Sequence, residues 1–209
     1  RIGRLMARNY IERSGPAALL NLRAVVCRPS KDPKADLRKR ASLLRTDSIH
    51  GAFNATIEVD EDSLCLIANG NRIQFIYAPH PAGIDYGAFG IKNAILIDNT
   101  GVWSDEAGLG QHLSAKGVEK VLLTAPAKGD VPNIVFGVND ETIGDHSIVS
   151  AASCTTNAST PVLKVLDEAY GIVQGHIETV HSFTNDQNLI DNFHKADRRG
   201  RSAALNMVI

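Results

Sequence analysis

Cysteine is scarce in this chain, with three residues, Cys27, Cys65 and Cys154, among 209. An odd number at wide spacing fits neither a disulfide framework nor a paired zinc-ligand pattern, and it points to a reducing compartment. The expected location is cytoplasmic. An excess of charge is missing too: 22 Lys and Arg stand against 23 Asp and Glu, a net charge of -1. That balance gives no electrostatic reason to expect a nucleic-acid partner, and the short run RRGR at 198–201 does not change this. No apolar run approaches the roughly 18 residues that a membrane span needs, so no membrane partner is expected. The opening RIGRLMARNY has no uninterrupted apolar stretch of the kind a signal peptide carries. Internal repeats and low-complexity tracts are absent as well.

What is present is 44% apolar residues, set in short Val, Ile and Leu runs between turn signals. LRAVVC (22–27), NAILI (93–97), KVLLT (120–124) and SIVS (147–150) have the composition of strands buried on both faces, as in a parallel sheet. In SLCLIANGNRIQFIY two strand-like runs flank NGN at 69–71, a hairpin signal that places an antiparallel pair inside the parallel unit. Helical segments alternate with these strands. One is IGRLMARNYIER at 2–13; another is DEAGLGQHLSA at 105–115, where Ser104 can cap and Asp105 and Glu106 suit the first turn. The pattern predicts an α/β fold, a Rossmann-like, doubly wound and mainly parallel sheet, as far as about residue 150.

Beyond 150 the character changes. Val162, Val165, Leu166 and Ala169 in TPVLKVLDEAYG recur at helical spacing, with Pro161 near a start and Gly171 as a stop. HIETVHSFTND (176–186) alternates like a strand, with Ile177, Thr179 and His181 on one face. This is the expected start of an α+β domain.

SAASCTTNAS (150–159) falls between a predicted strand and a predicted helix. Cys154 would then lie at a helix N-terminus, where unpaired N–H groups and the helix dipole favour a thiolate and can stabilise an oxyanion. A buried, inert thiol is the competing reading, since cysteine is among the most buried residue types. A thiol nucleophile needs a base, and His181 at a strand end is one candidate among seven histidines. RIGR at 1–4 can be the tail of a glycine-rich phosphate-binding turn, with Gly3 as its last glycine.

RIGR, NTGVW (99–103), TAPAKG (124–129), SAASCTTN (150–157), GIVQGHIETVHSFTNDQ (171–187) and RRGRSAALNMVI (198–209) resemble, in this order and spacing, the phosphorylating glyceraldehyde-3-phosphate dehydrogenases and the similar erythrose-4-phosphate dehydrogenases. The resemblance covers nearly the whole chain and implies a phosphorylated aldose and inorganic phosphate as substrates, NAD or NADP as cofactor, and a homotetramer. It makes Cys154 the nucleophile that attacks the aldehyde and His181 the base that lowers the thiol pKa and removes the proton as hydride leaves. Ser153, Thr155 and Thr184 match positions whose hydroxyls hold phosphate groups. Arg1, Ile2 and Gly3 match the pyrophosphate turn. Asn99, Thr100, Gly101 and Thr124 match the strand ends beside the cofactor, and Asn157 and Gln187 match supporting positions. The implied domains are 1–152 for dinucleotide binding and 153–209 for part of a catalytic domain. By the same resemblance the chain is truncated at both ends, with about two-thirds of a full member present.

Departures from the family pattern are informative. Its NAD-preferring members carry an acidic residue at the end of the second strand; VVCRPS places Arg28 there, which can pair with a 2'-phosphate and so predicts use of NADP. Pro79 stands where many members have an arginine near the adenine, and Ala158 replaces a frequent second cysteine. Thr184 favours the triose substrate, whereas DQ and LID in HSFTNDQNLID have the character of the erythrose-4-phosphate enzymes. A relative that keeps the fold only to bind a partner is the alternative from another class.

Overall fold

The computed structural model describes residues 2–14 and 18–208, which form two compact units, Arg1–Val165 and Leu166–Ile209. In the first unit α1 (Ile2–Glu12) buries Ile11 and also Arg8. The Arg8 charge is tolerated because Nε donates to Leu44 O at 3.0 Å and the terminal nitrogens donate to Gly51 O at 3.1 Å, while the guanidinium lies over the Phe53 ring. β1 (Ala24–Cys27) follows. α2 (Pro33–Arg45) is a helix that the apolar pattern alone does not bring out. It is capped by Asp32, whose side chain accepts from Ala35 N, and it starts with a proline, both ordinary start signals. Leu37, Ala41 and Leu44 at four- and three-residue spacing put one buried stripe on the sheet.

A two-residue ribbon, β2 (Thr46–Asp47) with β3 (Gly51–Ala52), leads into β4 (Ile57–Asp60), β5 (Cys65–Ala68) and β6 (Asn71–Tyr77). β1 runs parallel to β6, and β6, β5 and β4 pair antiparallel in the order β1-β6-β5-β4. The expected hairpin is present: Asn69 and Gly70 both have positive φ, 47° and 79°, as a two-residue turn matched to the twist of its strands requires. β7 (Ala94–Asp98), β8 (Val118–Leu123) and β9 (Ile148–Ser150) form an all-parallel sheet in that order, with α3 (Glu106–Leu113) crossing from β7 to β8. The α3 cap is Asp105, which accepts from Gly108 N at 2.8 Å; Ser104, the cap expected from sequence, lies one residue too early. β1 and β7 are not buried on both faces as expected, because Val26 is 42% and Ile95 48% exposed.

Apolar packing joins these elements in three clusters. Ile11 of α1 and the α2 stripe meet Ile57, Leu66, Ile73 and Phe75. Ala24, Ile76, Ala94 and Leu96 bring β1, β6 and β7 into one cluster around Tyr86 and Ile91. Leu109 of α3 packs on Val121 and Leu123 of β8 and Ile148 of β9. This is the α/β arrangement expected from the sequence, with parallel strands and helices between them.

α4 (Cys154–Tyr170) runs from the first unit into the second. Gly171 ends it at φ 73°. The strand expected over 176–186 is not formed: residues 171–184 have no helix or strand, and Val173 and Val180 are almost fully exposed. Alternation selects which face would be buried, but a strand exists only where a neighbour takes its N–H and C=O groups. Residues 186–208 close on themselves instead. Asn192 N donates to Gly200 O and Ala203 N to Asn188 O, both at 2.8 Å, Ser202 Oγ donates to Leu189 O at 2.6 Å, and Arg201 pairs with Asp191. Among the described residues no helix is long and apolar enough to cross a membrane.

Candidate active site

The start of α4 is built by small polar side chains. At the end of β9, Ser150 is fully buried, and its hydroxyl donates to Ala125 O at 2.6 Å and accepts from Ala152 N at 2.9 Å. The chain then turns through Ala152 at φ 58°, a left-handed conformation that costs a non-glycine residue about 1 kcal/mol. Ser153 Oγ accepts from Thr156 N at 2.9 Å, so Ser153 is the helix cap, and its hydroxyl also meets that of Thr156 at 2.7 Å. Asn157 ties the turn to the helix by donating to Ala151 O at 2.7 Å and Ser153 O at 2.9 Å. Cys154 is therefore the first helical residue, and it is exposed while Cys27 and Cys65 are buried.

Pro161 does not stand near the helix start, as the sequence suggested, but inside the helix. The two turns before it carry side-chain hydroxyls bonded to backbone: Ser159 Oγ donates to Thr155 O at 3.0 Å and Thr160 Oγ1 to Thr156 O at 2.8 Å. The Ser153 cap sets the helix start, while hydroxyl bonds back to the carbonyl four residues earlier, like the proline, favour a bend rather than a stop.

A second group of residues gathers where α1 opens beside the C-terminal ends of β7 and β8. Gly3 is so close to Asn99 that a Cβ there would stand 2.9 Å from Asn99 Oδ1. Asn99 Nδ2 donates to Thr124 Oγ1 at 2.8 Å, and Thr124 Oγ1 donates to Asp98 O at 3.0 Å. Asp98 Oδ1 accepts from Thr100 N at 2.6 Å, and Thr100 Oγ1 from Val102 N at 3.1 Å. Gly101 follows at φ 70°. The structure thus brings Gly3, Asn99, Thr100 and Thr124 together as one network, with Ile2 exposed at the first position of α1. Arg1 lies outside the described residues.

Asp98 and His112 are the functional candidates that the sequence pattern missed. Asp98 Oδ2 meets His112 Nε2 at 3.2 Å, and both side chains are buried. Burial alone would raise the Asp98 carboxyl, but hydrogen bonds from His112 and the Thr100 amide outweigh it and hold the group below the ordinary aspartate range. The available signal was an acid ending an apolar run and a histidine three residues beyond Leu109 on the inner face of α3.

Arg28 follows β1 directly and is exposed, with no ion pair among the described residues. Arg40, whose charge acts on Cys27, is engaged differently, its Nε 2.5 Å from Asp36 Oδ2, to which Tyr77 OH also donates at 3.0 Å. Burial pushes the Cys27 thiol up to about 11, against the lowering effect of Arg40, so this cysteine is inert by environment.

The remaining site candidates lie in the second unit. His181 is exposed, and its Nδ1–H donates to Ser182 O at 2.5 Å, which fixes the neutral ring as the tautomer with the lone pair on Nε2. Thr184 N donates to Gln187 Oε1 at 2.6 Å, and Thr184 Oγ1 donates to Asp186, which also pairs with Arg199. These bonds keep the Asp186 carboxyl below its usual range despite some burial.

Parallel strands with a close glycine and small hydroxyl residues at their ends, opposite the opening of a helix, are the phosphate-approach geometry of dinucleotide-binding α/β folds. Residues 1–106 match the family model described as glyceraldehyde 3-phosphate dehydrogenase, NAD binding domain, and residues 153–208 match that of the C-terminal domain. The chain belongs to the glyceraldehyde 3-phosphate dehydrogenase family. It is similar to a glyceraldehyde-3-phosphate dehydrogenase-like protein of Pseudomonas aeruginosa, 62% identical over all of this chain and 45% of the relative. Glyceraldehyde-3-phosphate dehydrogenase of Thermotoga maritima is 40% identical over all of this chain and 59% of the relative. The chloroplastic glyceraldehyde-3-phosphate dehydrogenase A of Zea mays is also 40% identical, over all of this chain and 49% of the relative. The chain therefore spans about half the length of the curated relatives it matches, less than the two-thirds expected from sequence.

Proposed function

We propose that the protein carrying this chain is a phosphorylating aldehyde dehydrogenase that oxidises glyceraldehyde 3-phosphate to 1,3-bisphosphoglycerate with NAD or NADP. The observation that carries the reading is the exposed Cys154 at the Ser153-capped N-terminus of α4, in a chain matched by both domain models of the family. The dinucleotide-binding domain is assigned to residues 1–152 and the catalytic domain begins at Ser153, a division supported by where the second match starts.

The thiolate of Cys154 adds to the aldehyde carbon, forming a C–S bond and an oxyanion. The N–H groups of the first turn of α4 and the helix dipole favour the thiolate and the oxyanion alike. His181, with its lone pair on Nε2, takes the thiol proton, passes it to the oxyanion and takes it back from the resulting hydroxyl as hydride departs, leaving a thioester on Cys154. Phosphate then attacks the thioester carbon, the C–S bond breaks, and the acyl phosphate leaves with the thiolate regenerated. Ser153, Thr155 and Thr184 supply short hydroxyl donors for phosphate groups; in Ser153 this is compatible with capping, since a hydroxyl both accepts and donates, whereas Thr184 must turn its single O–H from Asp186 to the phosphate.

The nicotinamide dinucleotide supplies the hydride acceptor. The residues present fit it: Gly3 leaves the space a Cβ would fill beside Asn99, and Ile2 and Gly3 present the unpaired N–H groups of α1 to a pyrophosphate. Arg28 at the end of β1 adds a cation suited to a 2'-phosphate, which supports use of NADP alongside NAD. A homotetramer in the cytoplasm is the assembly and location we infer.

The test is a steady-state assay of the protein carrying this chain with glyceraldehyde 3-phosphate and erythrose 4-phosphate, each with NAD and NADP, with and without phosphate. The expected result is phosphate-dependent reduction of the dinucleotide with higher kcat/KM for the triose. A higher kcat/KM for the tetrose would reassign the substrate, and dinucleotide binding without turnover would mark a non-catalytic relative.

A further inference from the structure

The buried carboxylate of Asp98 and the buried imidazole of His112 have no part in the chemistry above, yet they sit directly beneath the proposed dinucleotide site. Asp98 ends β7 and is 2% exposed; His112 lies on the inner face of α3 and is 6% exposed. The ring of Trp103 meets that of His112 edge-on, with centroids 5.2 Å apart, and also fills the space beside Gly108. As packing alone the pair is costly. Polar groups buried this deeply are commonly no more stabilising than apolar side chains of the same volume, and His112 Nδ1 is buried with no hydrogen-bond partner among the described residues.

What the pair does is positional. One Asp98 oxygen holds His112 Nε2 and the other holds the Thr100 amide, so the carboxylate cannot rotate without losing one of them. The Asp98 carbonyl accepts from both the amide and the hydroxyl of Thr124, at 3.1 and 3.0 Å. Thr124 Oγ1 in turn receives Asn99 Nδ2, which turns Asn99 Oδ1 toward Gly3.

We propose that the Asp98–His112 pair is the positioning device of the dinucleotide site: it holds the Asn99–Gly101 turn and the Asn99 amide in the one arrangement that faces the opening turn of α1. The proposal rests on the functional reading above. Without His112, one oxygen of Asp98 is left buried with no donor. The carboxyl must then take up a proton or swing toward water, and either change loosens its bond to the Thr100 amide. The loss falls on cofactor binding rather than on the chemistry at Cys154, which is held by a different set of bonds beyond β9.

The experiment compares His112→Leu, His112→Gln and Asp98→Asn in the protein carrying this chain. It measures Kd for NADH and NADPH by the fluorescence of the reduced nicotinamide, KM for the cofactor, kcat, and the thermal midpoint without cofactor. His112→Leu is expected to raise Kd and KM about tenfold, equivalent to about 1.4 kcal/mol, with kcat essentially unchanged. His112→Gln, whose Nε2 can take the place of the imidazole Nε2, is expected to recover most of the affinity. Asp98→Asn keeps one acceptor oxygen instead of two and removes the charge that strengthens the bonds to both His112 and the Thr100 amide, so it should behave like His112→Leu.

A pair that only stabilises the fold would lower the thermal midpoint in the variants and leave Kd of the folded protein unchanged; that result overturns the proposal. Should His112→Leu not fold, the nearly isosteric Asp98→Asn decides, and wild-type affinity in it is equally fatal. If the unsubstituted protein binds neither dinucleotide, the functional reading fails together with this one. If it binds and the variants bind equally well, only the role of the pair fails.

Discussion

A Cβ built on Gly3 would stand 2.9 Å from Oδ1 of Asn99, so the first turn of α1 meets the end of β7 with no room for a side chain between them. Gly3→Ala sets two effects against each other. Alanine is the better helix former by about 1 kcal/mol, while overpacking against Asn99 costs about 1–3 kcal/mol. The thermal midpoint is expected to move by only a few degrees. Dinucleotide affinity is expected to fall several-fold, because the Asn99 side chain must leave Thr124. Calorimetry and a cofactor titration on the same sample check both halves.

The three thiols are expected to separate cleanly. Cys154 is exposed, Cys27 and Cys65 are buried, and burial pushes Cys27 up to about 11. Iodoacetamide at neutral pH should alkylate Cys154 fast and the others only after unfolding, with the fast phase lost in Cys154→Ser. Ser153→Ala removes the cap, which should cost about 1 kcal/mol of stability and slow the fast phase. A Cys154 no more reactive than free cysteine would count against an activated thiol.

Arg28→Ala is expected to lower kcat/KM for NADP by about tenfold or more, the scale of one lost charge-assisted hydrogen bond, and to leave NAD equal or better. Steady-state kinetics with both cofactors decide this. An unchanged NADP efficiency would remove Arg28 from the specificity of the site.

Asp98 makes stability depend on acid. Its folded carboxyl is held below the ordinary aspartate value of about 3.9, since the bonds from His112 and Thr100 outweigh burial. The unfolded chain therefore binds the proton more tightly. The stabilisation is fully present above the unfolded value and is lost as pH falls through the folded one. Urea titrations from pH 6 to pH 3 should show Asp98→Asn less stable than the unsubstituted protein at pH 6, with the gap closing toward pH 3. A gap that stays constant with pH would mean that Asp98 is not the group responsible.

Much of the first unit was legible because its signals are local. Apolar runs with turn residues between them gave β1, β6, β7, β8 and β9, the NG turn gave the β5–β6 hairpin, and the small polar residues of SAASCTTN placed Cys154 at a helix start. Local signals also misled. The alternation over 176–186 counted as a strand although pairing is a property of two segments, and Pro161 counted as a start although the Ser153 cap begins the helix at Cys154.

The sequence by itself determined the α/β class, the main strands of the first unit and the residue types able to do thiol chemistry, since periodicity, turn residues and motif spacing are written along the chain. Only the tertiary structure decided that Asp98 and His112, fourteen residues apart, share a buried hydrogen bond, and that Asn99 is pressed between Gly3 and Thr124. Such neighbours come from different strands and helices brought together by core packing. Which buried polar group finds its partner there is settled by the geometry of that packing rather than by any pattern readable in one segment.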